Sequence, residues 1–264
     1  MRLYSAAIIG TSPAGCTAAI ALARKGLKVL LIDVSEFSGD RVEISSSSNS
    51  SPPNSSPLNK QRSARLGKSL RNQSLMTLAQ AQGVEVWKAC RVDTAIVEQQ
   101  QLMGLTTERG TVRAYHILDA SGQRQWLSQQ LGVGTTVASP EPMDRCKPVA
   151  WQMRDPFAGP GWWLLGNAAA NPSLAVSCGL LRTFAHRLKV VISGLQAASA
   201  IADCEHGKIS EAIATQRYSQ WLHTWFVRDS GAQHSKEHTT YGSLAFPMRL
   251  ELDHKPFIQG QMQC

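Results

Sequence analysis

Charged side chains are scarce in this chain: Asp, Glu, Lys and Arg make up 17% of its 264 residues, below the ~25% usual for globular domains. With apolar residues at 43%, the composition excludes a disordered or coiled-coil protein and leaves enough apolar surface for a sizeable core. No uninterrupted apolar run reaches the ~18 residues of a membrane helix, so no membrane span is expected. Met1-Arg2 and the apolar run behind it superficially resemble a secretory signal. A glycine-bearing turn splits that run and a second strand follows at once, which argues against one. The six cysteines, Cys16, Cys90, Cys146, Cys178, Cys204 and Cys264, include no Cys-x-x-Cys pair, and a reduced, cytoplasmic setting suits them best. His234 and His238 are four apart, but no third ligand is placed beside them, so no metal is expected. Acidic residues are missing altogether between Glu43 and Glu85, where Lys60, Arg62, Arg65, Lys68 and Arg71 lie. A solvated helix face accounts for that basic run. No zinc spacing or RNA-binding aromatic signature accompanies it, so no nucleic-acid partner is expected.

What is present begins with a strand–turn–helix–strand unit. Residues 3–9 read as a short buried strand ending in Gly10. Residues 14–25 place Ala18, Ala19, Ala21, Leu22 and Ala23 at helical spacing, with Gly26 as a stop. Lys28 to Ile32 forms a second apolar strand closed by Asp33. A helix this rich in small residues suits close packing on a sheet, and a doubly wound parallel α/β sheet follows. Residues 45–57, almost all Ser, Asn and Pro, read as a mobile loop. A helix is expected from Arg62 to Gln82, then strand 84–88, then a meander of 91–98, 101–107 and 110–118. A short helix to Leu131 precedes a polar connector over 132–148, and an apolar strand covers Trp162–Leu165. If extended, Trp162 and Trp163 point to opposite faces, one to the core and the other toward a ligand. Helical patterns cover 174–194 and 208–228, and 229–264 has no clear period.

Gly10-Thr11-Ser12-Pro13-Ala14-Gly15 sits at the first strand-to-helix turn. Gly10 permits the tight turn, the helix start at Ala14 offers free N–H groups to a pyrophosphate, and Gly15 allows close helix–sheet contact. Ser12 stands where a second glycine is usual; its hydroxyl can meet a phosphate, but its Cβ narrows the approach. Asp33 follows at the end of the second strand, about the ~20 residues on at which a carboxylate takes the ribose hydroxyls of an adenosine. This constellation points to a dinucleotide and does not separate FAD from NAD.

Two later segments make the separation. Ile117-Leu118-Asp119-Ala120-Ser121-Gly122-Gln123-Arg124-Gln125-Trp126-Leu127 resembles the Asp-Ala-Ser/Thr-Gly stretch of flavin-dependent monooxygenases and tryptophan halogenases. Gly159-Pro160-Gly161-Trp162-Trp163-Leu164-Leu165-Gly166-Asn167-Ala168-Ala169 resembles their Gly-Pro-Gly-Trp…Gly-Asp-Ala-Ala motif. With Gly10–Gly15 in front, the three stand in that superfamily's order over roughly Arg2 to Tyr241. Within it, the chain is most similar to the flavoprotein maturation enzymes of quinone-cofactor amine oxidases and dehydrogenases, which oxygenate a tryptophan within a partner polypeptide.

The resemblance implies a Rossmann-like FAD-binding domain of the glutathione-reductase type over 1–228, with a truncated substrate region at 132–150 and a C-terminal tail at 229–264. Gly10, Ser12, Ala14 and Gly15 would surround the FAD pyrophosphate and Asp33 would hold the ribose. Arg41 would lie near the cofactor, and Val92 would offer backbone to the adenine. Asp119 would belong to the cofactor-facing set, Gly166 and Asn167 would meet the pyrophosphate and ribityl chain, and Gly179 would open a helix beneath the flavin ring. The family's aspartate is Asn167 here, which keeps an oxygen acceptor without the charge. The halogenase Trp-x-Trp-x-Ile-Pro motif is absent, so chlorination has no support. The activity implied is an FAD-dependent monooxygenase, with NADH or NADPH as electron donor and an aromatic small molecule or partner polypeptide as substrate. A non-catalytic flavin-binding protein and an NAD-dependent dehydrogenase are the alternatives. No catalytic acid or base is identified, and Ser12 and Ser121 have no His–Asp partners for nucleophilic catalysis.

Overall fold

A computed structural model of the chain describes residues 2–34, 72–138, 151–172 and 180–229. All of these lie in one compact unit, Met1–Gln233; the second unit, His234–Cys264, lies outside the described residues, as do loop 45–57 and the basic run 60–71. The chain runs β1 (Arg2–Ile9), α1 (Pro13–Arg24) and β2 (Val29–Ile32). The helix expected over 62–82 is described as α2, 72–81. β3 (Glu85–Trp87) is followed by the meander of β4 (Val92–Glu98), β5 (Gln101–Thr107) and β6 (Gly110–Asp119).

Beyond β6 come a 3-10 turn at Gly122–Arg124 and α3 (Trp126–Leu131). Then follow β7 (Gly134–Ala138), β8 (Trp151–Asp155), β9 (Ala158–Gly159) and β10 (Trp162–Leu164). A second 3-10 turn, Gly166–Ala168, leads into β11 (Ala170–Pro172), α4 (Leu180–Glu205) and α5 (Glu211–Asp229).

The main sheet has the order β3-β2-β1-β6-β10-β9, with β5 on β6 and β4 on β5. β1 pairs in parallel with β2 on one side and β6 on the other, and β10 continues in parallel beside β6. Every residue of β2 is buried, as expected of a strand covered on both faces. Ile8, Ile9, Leu30, Leu31, Ile32, Ile117 and Leu118 form the middle of the core, each contributing roughly 1.5–3 kcal/mol by burial.

Three expectations need correction. The connector 132–148 contains β7, which pairs with β8, and β11 pairs with β8 in turn, giving a separate three-stranded antiparallel sheet. The β-branched run Thr135-Thr136-Val137 finds its partner only beyond residue 150, a non-local pairing that a local pattern does not reveal. The helix read as 174–194 runs on to Glu205. Gly194 is not a stop but a contact point: a Cβ there would collide with the Ala14 carbonyl oxygen and lie 2.7 Å from Thr17 Oγ1, so glycine is what lets α4 press on α1. Finally, Trp162 and Trp163 are both buried. Trp163 packs edge-on to His116 and Tyr218, and Trp162 fills the space where Gly159 has no side chain.

Among the described residues no helix is long and apolar enough to cross a membrane, and no cluster of His, Cys, Asp and Glu is placed to hold a metal.

α4 and α5 are fastened to the sheet by a buried polar group. His116 on β6 is 3% exposed. Trp163 Nε1 can only donate, so at 3.4 Å it makes His116 Nδ1 the acceptor and leaves Nε2–H to face Glu205 Oε1 at 3.1 Å. Glu211, opening α5, accepts from Gly161 N at 2.7 Å and lies 3.8 Å from Nδ1. Burial pushes His116 below its ordinary value of 6.5, outweighing both carboxylates. The unfolded chain therefore takes up more protons below pH 6.5 than the folded one, and stability falls as pH falls through that range. Thermal unfolding from neutral to mildly acidic pH should fall more steeply in the wild type than in His116→Gln, which cannot titrate. Parallel profiles would remove His116 as the source.

Candidate functional site

The carboxyl ends of the parallel strands are in register: Ile9 lies beside both Ile32 and Asp119, Ile32 beside Trp87, and Leu164 beside Asp119. The ladder continues one residue past each strand. Asp33 N donates to Trp87 O at 2.7 Å, and Gly10 N to Ile32 O at 2.8 Å. Ala120 N donates to Ile9 O and Leu165 N to Asp119 O, both at 2.8 Å. Segments separated by more than a hundred residues thus meet along one edge. The chain leaves β1 toward β2 while β6 lies on its other side, so a crevice opens at this switch point, where open α/β sheets bind their ligands.

Gly10 adopts φ +101°, and a Cβ on it would lie 2.6 Å from the Ala120 carbonyl oxygen. Both the conformation and the close approach demand glycine. A Cβ on Gly15 would run into the Gly10 carbonyl oxygen and sit 2.9 Å from Ala120 Cβ. Ser12 is the N-cap of α1, its hydroxyl accepting from Gly15 N at 3.4 Å. The serine that replaces the usual glycine therefore turns its hydroxyl on the helix itself. Pro13 has no N–H to leave open. The N–H groups of Thr11, Ser12 and Ala14 find no partner among the described residues, so they remain as donors at the positive end of α1.

The third segment closes on this turn. Gly166 has φ +53°, and a Cβ on it would lie 3.4 Å from Ala14 Cβ and 3.1 Å from Val190 Cγ1. Its N–H donates to Ser193 Oγ at 2.9 Å, and Ser193 donates in turn to Val190 O. Asn167 follows immediately, and its Oδ1 is buried without a hydrogen-bond partner among the described residues. A buried amide oxygen left unmatched is costly, and a hydroxyl-bearing ligand would match it.

Asp33 is buried at the end of β2 and accepts from Thr11 Oγ1 at 3.0 Å. Cys90 N donates to Asp33 O, which brings Cys90-Arg91-Val92 alongside; Val92 itself is buried at the start of β4. Asp119 is fully buried, with Oδ1 accepting from Ser121 N and Oδ2 from Leu127 N, both at 2.8 Å. Burial pushes its carboxyl above the usual range, against the pull of those bonds. Its oxygens serve the loop 121–127, so it positions the crevice wall. Arg41 and Gly179 lie outside the described residues.

The structure therefore gathers Gly10, Ser12, Ala14, Gly15, Asp33, Asp119, Gly166 and Asn167 at one edge, with Val92 beside Asp33. Sequence reasoning missed Thr11, which sat within the motif, and Ser193, whose role depends on where α4 docks. The arrangement suits an extended ligand: a dianion at the α1 amides, a hydroxylated sugar at Asp33, and a second polyol at Asn167.

The family profile described as pyridine nucleotide-disulphide oxidoreductase matches residues 4–148. No curated protein sequence matches. Solved structures do. The flavin-dependent brominase Bmp2 is 17% identical with a TM-score of 0.56, over 84% of each chain. A geranylgeranyl bacteriochlorophyll reductase-like protein from Thermoplasma acidophilum is 15% identical with a TM-score of 0.60, over 87% of this chain and 85% of that one. The anhydrotetracycline hydroxylase OxyS from Streptomyces rimosus is 12% identical with a TM-score of 0.57, over 86% of this chain and 68% of that one. At such identities the likeness is one of fold: the Rossmann-like FAD-binding fold of flavoprotein oxidoreductases.

Asp119→Asn should cost about 1–3 kcal/mol, because the new NH2 faces an N–H donor and one amide loses its acceptor. Thermal unfolding measures the loss, and hydrogen exchange should show reduced protection at Leu127 N or Ser121 N. An unchanged melting temperature would remove the carboxylate as the tie of this loop.

Proposed function

The chain belongs to the pyridine nucleotide-disulphide oxidoreductase family, and on that premise we propose that it is an FAD-dependent oxidoreductase of the monooxygenase type acting on an aromatic substrate. The observation that carries this reading is the convergence of the Gly10–Gly15 turn, Asp33 and the Gly166-Asn167 turn on one edge, with an unmatched Asn167 Oδ1 beside open helix amides. Those residues fit FAD. The α1 amides would face its pyrophosphate, Asp33 its ribose and Asn167 its ribityl hydroxyls, while the side-chain-free surfaces of Gly10 and Gly15 keep the turn compact enough for backbone approach. When bound, FAD supplies electron transfer and oxygen activation; the protein binds it, orients it and limits water around it.

Among the described residues no cysteine pair forms a disulphide, and Cys16, Cys90 and Cys204 are free thiols. Cys16 and Cys90 are buried. Burial, and then the charge of Asp33, push Cys16 up to about 12, far from the thiolate that disulfide exchange requires. The electron acceptor of this reading is dioxygen, with NADH or NADPH as donor. The sheet β7–β8–β11 would contribute to the substrate side of the domain proposed over 1–228. A tryptophan within a partner polypeptide is the substrate suggested by the resemblance to quinone-cofactor maturation enzymes.

Purified protein should be yellow, and it should consume oxygen with NADH or NADPH. The residue-level test is Asn167. Asn167→Asp should change FAD affinity by about 1 kcal/mol in either direction, as one hydrogen bond is exchanged for another. Asn167→Leu should weaken FAD further while leaving thermal stability equal or higher, because it removes an unmatched buried oxygen. Equal FAD affinity in all three proteins, titrated as apoprotein, would place Asn167 outside the site.

A further inference from the structure

The crevice motif brings a dianion to a turn with no cation of its own. Residues 10–18 carry no charged side chain, and the first turn of α1 contains only small and apolar residues. Helix amides and the α1 dipole supply partial positive charge there. Any full positive charge at the turn comes from elsewhere in the fold.

Arg124 is placed to supply it. It ends the 3-10 turn that follows β6, and its Nη1 reaches back toward the carbonyl oxygen of Val34, the residue after Asp33, at 3.4 Å. In the sheet, β1 lies between β2 and β6. Adjacent strands are about 4.8 Å apart, so the two banks joined by this side chain are separated by about 10 Å. With β1 between them, a side chain that joins these two segments lies near the carboxyl end of β1. There the Gly10–Gly15 turn begins, and Ala120 and Ser121 approach Gly10. Its backbone is held from several sides. Asp119 ties down Ser121 N and Leu127 N, Ser121 Oγ accepts from Trp126 N, and Gln129 Nε2 donates to the Arg124 carbonyl oxygen at 2.9 Å. Gln125, next in the chain, adopts φ +49° and accepts from Arg154 through Oε1. The guanidinium itself is exposed and has no carboxylate partner among the described residues. Among the described residues the guanidinium, with its five N–H donors, makes a single carbonyl contact, at Val34.

We propose that Arg124 is the charge partner of the dinucleotide pyrophosphate, a planar two-pronged donor carried over the Gly10–Gly15 turn by the loop that Asp119 anchors. This rests on the dinucleotide reading of the crevice and adds to it a residue from a different motif, acting on the phosphates rather than on the flavin. It also assigns a purpose to the buried Asp119 latch, which sets the aim of the Arg124 backbone.

The test titrates FAD and ADP against wild type, R124Q and R124K, with thermal unfolding as a check on the fold. R124Q should weaken both ligands about tenfold, the scale of a lost charged hydrogen bond, and R124K should recover most of that loss because the charge returns. Raising the salt concentration should narrow the gap between wild type and R124Q, since the interaction is exposed and screened. Wild-type affinity for both ligands in R124Q would overturn the assignment and leave the flavin reading intact. A loss that R124K does not recover, or that salt does not narrow, would make Arg124 a structural strut and overturn it as well. If the wild type binds ADP but not FAD, the flavin reading falls while Arg124 is still judged on ADP. Failure to bind either ligand overturns both.

Discussion

A Cβ on Gly15 would collide with the carbonyl oxygen of Gly10, so the first turn of α1 rests directly on the turn that feeds it. Much of the rest depends on that closeness. It sets α1 low over β1, brings Ala120 against the same spot, and leaves the open amides of Thr11, Ser12 and Ala14 at the carboxyl edge of the sheet. Small residues continue the arrangement outward. Ala14, Ala18 and Ala19 are fully buried on α1, and Gly194 lets α4 pack on the other side of the helix without a gap. Both helices therefore approach closely at this turn.

Polar groups buried in this core do different work at different ends. Asp119 is a carboxylate whose oxygens meet two backbone amides, which makes it a tie for loop 121–127 despite the cost of burying a charge. His116 fastens the α4–α5 turn to β6, through Glu205 at the end of one helix and Glu211 at the start of the next. Tyr218 adds a bond from α5 to the Leu164 carbonyl oxygen at 2.7 Å. Since Leu165 and Gly166 follow, and Ser193 of α4 receives the Gly166 N–H, the helical hairpin holds the third motif in place. Asn167 Oδ1 is one of six buried side-chain polar atoms with no partner among the described residues, and it lies at the crevice. An unmatched oxygen at the crevice is of the kind expected where a ligand completes the bonding.

The parts of this architecture legible in sequence were those with local causes. The first strand–turn–helix–strand unit and the meander β4–β5–β6 stand within a residue or two of their expected places, because alternation, glycine turns and small-residue spacing act over a few residues. The three glycine-bearing motifs were legible for the same reason. The strand β7 and the full length of α4 were not. Thr135-Thr136-Val137 needed β8 to make it a strand, and the role of Gly194 shows only with Ala14 against it.

The sequence by itself determined which residues have the chemistry of a dinucleotide site: glycines where backbones must approach, a carboxylate at Asp33, an amide at Asn167. Only the tertiary structure decided how those groups are used. It turned Ser12 into a helix cap, made Asp119 a tie for loop 121–127, buried both Trp162 and Trp163, and brought Arg124 to the carbonyl oxygen of Val34. The physical reason is that a side chain's type fixes what it can donate, accept or pack. Its partner is fixed by strands and helices that meet from distant parts of the chain, and that meeting is set by sheet order and burial, which no local pattern encodes.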